Sequence, residues 1–308
     1  MKFDLSLPIL SIRSRQRLIE LVHAMFASEG SAATLGIDKA TLTTFIEEVA
    51  RGYRPNPYHN LNHATDALNT MGWFVTRPTF ARNFPPWLRF LLMVSTLVHD
   101  VDHPGNDNQW EIKTKSNLAN RFANKSVLEQ RSVEVTRQLL AQAPTNLFKH
   151  MPLGQQQEAM TQIEQFVLAT DFARHQDFLE RLTKCLAGGG PDYKNEKSRT
   201  LVACSLIKAA DIANTAKPYH LARPWGSRVM QEFWAQGFRE QAQHLEVGPL
   251  NDASTINVYA AQAGFIKYAC LELFVLLSQV EEEIGVMVRQ LRENIARYES
   301  TAERYASA

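Results

Sequence analysis

Cysteine is scarce in this sequence, which holds three in 308 residues. Cys185, Cys204 and Cys270 lie far apart and have neither zinc-finger nor CxxC spacing. Their odd number argues against a disulfide framework. Because thiols stay unpaired in reducing compartments, we expect a cytoplasmic protein.

The sequence also lacks an excess of charge of one sign. It has 33 Lys and Arg against 32 Asp and Glu, for a formal net charge of +1, and no basic block stands out. These counts exclude a polybasic nucleic-acid binder, so no nucleic-acid partner is expected. We find no apolar run of transmembrane length, and the first residues, MKFDLSLPILSIRSRQ, do not resemble a signal peptide.

Alternating strand patterns are scarce, whereas helical spacing occurs along almost the whole chain. Leu61, Ala64, Leu68 and Met71, for example, follow each other at intervals of three or four residues. Such intervals place apolar side chains on one face of a helix. The sequence therefore predicts an all-α fold, a compact multi-helix domain.

The length and the 45% hydrophobic content are enough for one large core, so we expect a single domain over residues 1–308. Within it we predict an N-terminal helical lobe to about residue 187, a surface loop at 188–198 and a C-terminal helical lobe. A second loop is predicted at 246–255. Residues 264–299 are predicted to form one long or broken helix.

The apolar run WLRFLLMVSTLV is followed by His99, Asp100, Asp102 and His103, with no Lys or Arg among them. A buried carboxylate is costly unless it is paired or bound to a metal. The end of this predicted helix therefore needs a cation.

Two histidine pairs share one spacing, His59 with His63 and His99 with His103. Residues four apart lie on one face of a helix. A metal explains both pairs, because imidazole suits zinc and its neighbours while carboxylates can bridge to a harder ion. The alternative is a polar helix terminus whose histidines hydrogen-bond to loops.

Asp211 is the best candidate for a further acidic ligand, because it follows the apolar run LVACSLIKAA. The alternative is a helix-end acid that pairs with Lys208 or Lys217, as many surface acids do.

Six sequence blocks resemble, in order, the catalytic domain of class I cyclic-nucleotide phosphodiesterases. The resemblance runs from about Tyr58 to Tyr268, and its details are similar to the C-type enzymes of trypanosomatids. The blocks are YHNLNHATD, LVHDVDHPG, SVLE, VLATDFARH, KAADIANTAKP and QAGFIKY.

The resemblance implies two divalent metal ions, zinc and magnesium, with manganese as a further candidate. The ligands of the first ion would be His63, His99, Asp100 and Asp211, and Asp100 would bridge to the second. Magnesium keeps much of its hydration and takes few protein ligands. The residues implied to hold its waters are His103, Glu129 and Thr170.

The implied reaction is hydrolysis of a 3′,5′-cyclic nucleotide to the 5′-monophosphate. The two ions would bind the phosphate and acidify the attacking water. His59 resembles the general acid that protonates the ribose 3′-oxygen as it leaves. We expect Glu129 or another nearby carboxylate to keep His59 charged.

The resemblance also implies a pocket for the purine. Gln262 would hydrogen-bond the base edge, and Phe265 would stack on the ring with Val229 on its other side. Asn214 would lie near the base, and Tyr58 would line the pocket beside the metals. Without the resemblance, Gln262 would be a solvated helix residue and Phe265 a core residue.

The chain departs from the family pattern in three places. Gln130, Arg131 and Ser132 follow SVLE where Asn-His-His is common, which adds a positive charge near Glu129. Ala222 and Gly226 stand where cAMP-selective relatives often carry Tyr and Thr. These small residues predict a roomier pocket that accepts cAMP and also cGMP.

Two other functions fit parts of the pattern. One is a different His-Asp metal phosphohydrolase, such as an enzyme that cleaves nucleoside triphosphates or alarmones. The other is a non-enzymatic helical module that binds nucleotides or partners. The sequence leaves the oligomeric state and any regulatory domains open.

Overall fold

The computed structural model describes residues 2–306, and the regular secondary structure in that range is helical throughout. The predicted all-α class is confirmed. The helices of the first half are α1 Arg15–Glu29, α2 Ser31–Thr34, α3 Lys39–Gly52, α4 Leu61–Val75, α5 Pro78–Asn83, α6 Pro86–Val98, α7 Asn108–Lys113 and α8 Asn117–Arg121. Those of the second half are α9 Val127–Leu140, α10 Leu153–Ala169, α11 His175–Ala187, α12 Glu196–Ile212, α13 Tyr219–Ala242, α14 Val258–Phe265, α15 Leu271–Val280 and α16 Gly285–Ala306.

The polar residues at the start of α4 and α12 explain where these helices begin. The Asn60 side chain accepts hydrogen bonds from the backbone N–H groups of Asn62 at 2.9 Å and His63 at 3.2 Å, which caps α4. The Asn195 side chain caps α12 through the Ser198 N–H. The predicted loop at 188–198 therefore ends earlier, because its last three residues form the first turn of α12.

Helices α4, α6 and α12 pack against one another at the centre of the fold. Their apolar faces belong to one cluster of buried side chains that extends from Phe3 to Tyr298. This cluster continues through both predicted lobes, so the loop before α12 is a surface connection over one core. The packing brings the beginning of α4 close to the C-terminal ends of α6 and α12.

The stretch at 264–299, which was predicted to be one long or broken helix, is a broken helix. A π-helical turn at Ile266–Cys270 joins α14 to α15, and a 3₁₀ turn at Glu282–Ile284 separates α15 from α16. Contrary to our expectation, Val258–Val280 is long and apolar enough to cross a membrane by length and composition. Half of its apolar window is buried inside the fold, and core helices of soluble proteins pass the same test.

A buried ion pair links α4 to the segment after α12. Lys217 Nζ lies 3.0 Å from Asp66 Oδ1, and both side chains are almost fully buried. Lys217 also donates to the backbone carbonyl of Leu5 at 2.8 Å. The pair therefore connects the helix that carries His63 with the chain just beyond Asp211.

We predict that Lys217→Met destabilises the protein by about 3–5 kcal/mol, because it leaves Asp66 buried without a counter-charge. Lys267→Met is the matched control, since Lys267 pairs with Glu299 at the surface, and it should cost about 0–1 kcal/mol. Urea unfolding of both variants measures the difference. Equal losses would show that the buried pair contributes no more than a surface pair.

Candidate metal centre and active site

Four side chains from three helices converge on one point. The nitrogens His63 Nε2 and His99 Nε2 are 3.2 Å apart. Asp211 Oδ1 lies 3.0 Å from the first and 3.2 Å from the second, and Asp100 Oδ2 lies 3.3 Å and 3.1 Å from them. All four ligand atoms lie within 4.8 Å of one another.

The fold supplies these ligands from the polar ends of its central helices. His63 is in the first turn of α4, His99 is the C-cap of α6, and Asp211 is in the last turn of α12. His99 Nδ1 lies 2.8 Å from the carbonyl oxygen of Thr96 and donates to it, so the Nε2 lone pair faces the other ligands. This contact is typical of a metal-binding histidine.

The charges of the cluster also fit a cation. Burial alone would raise the pKa of Asp100 and Asp211, but contact with His99 and His63 lowers both, so the two carboxyls are ionised. Two carboxylate oxygens and two imidazole nitrogens are a donor set that zinc and its neighbours accept. The cluster therefore fits a divalent metal ion.

The alternative sequence interpretations do not fit these contacts. His63 and His99 approach each other and the two carboxylates, so these two imidazoles do not simply hydrogen-bond to loops. Lys217 pairs with Asp66, while Lys208 donates to the backbone carbonyls of Ala169 and Asp171 at 2.8 and 3.1 Å. Neither lysine forms an ion pair with Asp211.

His59 lies beside this cluster and is held by Glu232 on α13. The ring nitrogen Nδ1 hydrogen-bonds Glu232 Oε1, and Glu232 Oε2 accepts the backbone N–H groups of Tyr58 at 3.0 Å and His59 at 3.1 Å. Burial would lower the pKa of His59, but the Glu232 carboxylate outweighs it and raises the pKa to about 9. His59 is therefore protonated at neutral pH.

We expected Glu129 or another nearby carboxylate to keep His59 charged, and the carboxylate in contact with His59 is the second alternative, Glu232. Glu129 instead accepts a hydrogen bond of 3.1 Å from Asn108 Nδ2. Burial, reinforced by the nearby charge of Asp171, raises the pKa of Glu129 to about 7.

His103 stacks on His59, with ring centroids 3.9 Å apart. Burial and the positive charge of His59 lower the pKa of His103 to about 3, so its ring is neutral. Its Nδ1 accepts the Gly105 N–H at 3.1 Å, which leaves the proton on Nε2. Thr170, at the end of α10, is buried and donates its hydroxyl to Val167 O at 2.8 Å.

Tyr58 and Asn214 contact each other beside the cluster. The Tyr58 ring lies 4.6 Å from the His63 ring, and its hydroxyl accepts a 2.7 Å hydrogen bond from Asn214 Nδ2. The amide of Asn214 is therefore engaged with Tyr58, one helical turn beyond Asp211.

The predicted base-binding residues lie on α13 and α14. Gln262 is buried, and a Cβ built at Gly226 would be 2.7 Å from Gln262 Oε1, so these residues are in close contact. Phe265 is 37% exposed and lies 5.9 Å from the Phe172 ring. Val229 is one turn beyond Gly226 and is partly buried.

A cavity of about 430 Å³ adjoins Gln262 and is lined by Gly226, Arg223 and Tyr298 among others. Gly226 lines this cavity, whereas Ala222 is buried and does not, so the roomier pocket stays a prediction. The metal-cluster residues are not part of this lining.

Glu232 is the main functional candidate that sequence reasoning missed. With Gln236 and Glu240 it forms a buried polar stripe on α13, at intervals of four residues. Gln236 Oε1 accepts the Asp107 N–H at 2.8 Å, and Glu240 Oε2 accepts the Gly248 N–H at 3.0 Å. Buried polar residues at this spacing are unusual on a helix, and the pattern could have drawn attention to Glu232.

The profile of the 3′,5′-cyclic nucleotide phosphodiesterase family matches residues 58–291. The chain belongs to this family. The family membership and the His/Asp cluster together indicate a divalent-metal site.

Three relatives illustrate the similarity. The "High affinity cGMP-specific 3′,5′-cyclic phosphodiesterase 9A" of Pan troglodytes is 31% identical over 286 residues, which are 92% of this chain and 47% of the relative. The "Probable 3′,5′-cyclic-AMP phosphodiesterase pde-4" of Caenorhabditis elegans is 32% identical over 276 residues, covering 87% and 41%. The trypanosomatid LmjPDEB1 in complex with IBMX has a TM-score of 0.91 at 28% identity, covering 98% of this chain and 93% of the other.

This chain thus spans about half the length, or less, of the curated phosphodiesterases it matches. The narrower resemblance to the C-type enzymes of trypanosomatids stays a prediction.

We predict that Asp100→Ala and Asp211→Ala lose bound metal, because each removes one of four ligands. Loss of a residue that only hydrogen-bonds to a metal ligand lowers metal affinity by about 10–100-fold. Loss of a ligand itself should therefore lower metal affinity at least as much. Elemental analysis after gel filtration measures the metal content, with Asp177→Ala at an exposed ion pair as the control. Unchanged content in both variants would contradict the assigned centre.

Proposed function

We propose that this chain hydrolyses 3′,5′-cyclic nucleotides to 5′-monophosphates, and that residues 1–308 form one catalytic domain. The observation that carries the proposal is the convergence of His63, His99, Asp100 and Asp211 beside a protonated His59. This arrangement offers a cation site for a phosphate and a proton donor next to it.

The first ion is proposed to be zinc, held by the two imidazoles and two carboxylates, and the second magnesium or manganese, reached through Asp100. When bound, such ions neutralise phosphate charge and acidify water at neutral pH. His103, Glu129 and Thr170 are proposed to hold the waters around the second ion. The Nε2–H of neutral His103 can donate to a water oxygen, and the carboxyl of Glu129 can accept from one.

His59 is proposed to be the general acid. Water that has lost one proton to solvent attacks phosphorus, the bond from phosphorus to the ribose 3′-oxygen breaks, and that oxygen takes a proton from His59. Glu232 anchors Nδ1 of the ring, so the proton to be transferred is on Nε2. Afterwards the neutral ring regains a proton from solvent, which the charge of Glu232 favours.

The base is proposed to bind between Phe265 and Val229, with its edge against Gln262. An amide can present either its acceptor or its donors after a rotation of about 180°. In the described part of the chain no side chain hydrogen-bonds the Gln262 amide, and Asn214 is engaged with Tyr58. Gln262 can therefore turn to suit adenine or guanine, and we propose that both cAMP and cGMP are substrates.

Of the two curated relatives described above, one is named as cGMP-specific and the other as a probable cyclic-AMP phosphodiesterase. This division supports a cyclic nucleotide as substrate without selecting the base. Oligomeric state and regulation are left open, and a cytoplasmic location stays a prediction.

We predict that Glu232→Gln moves the alkaline limb of the kcat/KM profile to lower pH by at least about one unit. The acid works only while His59 is protonated, and loss of a carboxylate in contact lowers its pKa by about one to three units. His59→Ala should retain metal and lose about 10²–10⁴-fold in kcat. An unshifted limb in Glu232→Gln, or lost metal in His59→Ala, would contradict these roles.

We predict hydrolysis of both cAMP and cGMP with kcat/KM values within about a hundredfold, abolished by a chelator and restored by zinc with magnesium or manganese. Gly226→Ala should raise KM about tenfold for both cAMP and cGMP. The new Cβ would displace the Gln262 amide and cost about one hydrogen bond between Gln262 and the base. Gly264→Ala on α14 is the control, since nothing lies within 4 Å of its Cβ position. Turnover of nucleoside triphosphates but not cyclic nucleotides would contradict the proposal.

A further inference from the structure

Asp102 lies between the proposed metal ligand Asp100 and the neighbouring His103, in a strained backbone conformation. Its φ of 63° is in the left-handed region, which Asp tolerates better than most residues but still at a cost. We call residues 99–103 the metal loop. At this turn the chain leaves α6, so its geometry fixes the directions of the side chains on either side.

Two arginines from other parts of the chain hold the Asp102 carboxylate. Arg54 donates from Nε to Oδ1 at 2.7 Å, and its second nitrogen lies 2.6 Å from the same oxygen. Arg131 on α9 donates from Nε to Oδ2 at 2.9 Å, with its Nη2 2.7 Å away. Each guanidinium thus places two nitrogens on one carboxylate oxygen.

This arrangement differs from an ordinary surface ion pair. Such pairs contribute little because a single contact between mobile side chains is screened by solvent. Here the Asp102 and Arg131 side chains are only 21% and 26% exposed, and Arg131 is further fixed by Glu134 at 2.8 Å. Contacts through two nitrogens of a planar guanidinium fix the orientation of a carboxylate in addition to neutralising its charge.

The two arginines belong to the segments that carry the other functional candidates. Arg54 lies five residues before His59, and Arg131 lies two residues after Glu129. The hydroxyl of Ser132 also donates to Val101 O at 3.2 Å, and the Asp102 N–H donates to Gly52 O at 3.1 Å. The Asp102 carboxylate is therefore the point at which three segments around the active site are joined.

We propose that Arg54 and Arg131 are positioning residues that act through Asp102. Their hold on its carboxylate keeps the metal loop in its left-handed turn, which directs Asp100 and His103 toward the site of the second ion. This inference rests on the proposed two-ion function. The carboxylate itself faces the arginines and takes no part in ligation.

The test measures binding of Mn²⁺ to the zinc-loaded protein, from the loss of the free Mn²⁺ signal in electron paramagnetic resonance. We expect Arg131→Gln to weaken Mn²⁺ binding about tenfold and to leave the zinc content unchanged, because coupling between contacting residues is commonly of this size. Arg131→Lys should restore part of the loss, since lysine keeps the charge but not the fork.

The matched control is Arg137→Gln on the same helix, because Arg137 pairs with exposed Glu164 away from the metal loop. Its Mn²⁺ affinity should equal that of the wild type. Arg54→Gln is a second, independent variant in case Arg131→Gln fails to fold, which thermal melting would reveal.

A double-mutant cycle with Asp102→Asn tests the route of the effect. If Arg131 acts through Asp102, adding Arg131→Gln to Asp102→Asn causes no further loss of Mn²⁺ affinity. Wild-type affinity in Arg131→Gln, or an equal loss in both backgrounds, would overturn the inference. Failure of the proposed function is distinguishable, because then the wild type itself would bind no Mn²⁺ and hydrolyse no cyclic nucleotide.

Discussion

The contact of two ionised carboxylates with two buried imidazoles is the constraint on which the rest of this structure depends. Within residues 2–306, Asp100 and Asp211 are paired with His63 and His99 and not with a lysine or arginine, and these four side chains together suit a divalent cation. The four side chains come from three helix ends, and these ends meet only because α4, α6 and α12 share one apolar core. Burial of the apolar core thus offsets the free-energy cost of bringing these polar side chains together, which no local segment could do alone. The buried ion pair of Asp66 with Lys217 is a second connection between α4 and the segment after α12, beside the His/Asp cluster.

The four side chains that the structure brings together could be selected from the sequence, because much of the information about them is local. Spacing of four residues and the family blocks identify His63, His99 and Asp100, and an isolated acid after an apolar run identifies Asp211. Glu232 escaped prediction because it lies 173 residues from His59 in the chain, and no local pattern joins them. For the same reason the sequence offered Glu129 or another nearby carboxylate as the partner of His59 without naming Glu232, and Glu129 is bonded to Asn108. The sequence indicated that the acidic end of α6 needs a cation, and for Asp102 the positive charge comes from Arg54 and Arg131 in other segments.

The proposed purine side of the site is less determined by sequence than the proposed phosphate side. Metal ligands must be particular residue types at fixed distances, whereas base selection depends on which way one amide points. That orientation depends on neighbours, and the contact of Asn214 with Tyr58 appears only in three dimensions. Gly226 shows the same limit, because its small size predicted room but not its closeness to Gln262. The loop boundary before α12 was also misplaced, since the Asn195 cap starts the helix inside the predicted loop.

The polar stripe of α13 makes one helix responsible for three distant parts of the site. Glu232 holds His59, Gln236 holds the start of α7, and Glu240 holds the loop that precedes α14. An α-helix turns by about 100° per residue, so a single insertion or deletion before Glu232 would rotate all three side chains away together. The length of this helix from Pro218 onward is therefore subject to a strict limit. Evolution of this domain should substitute residues within α13 and never change their number.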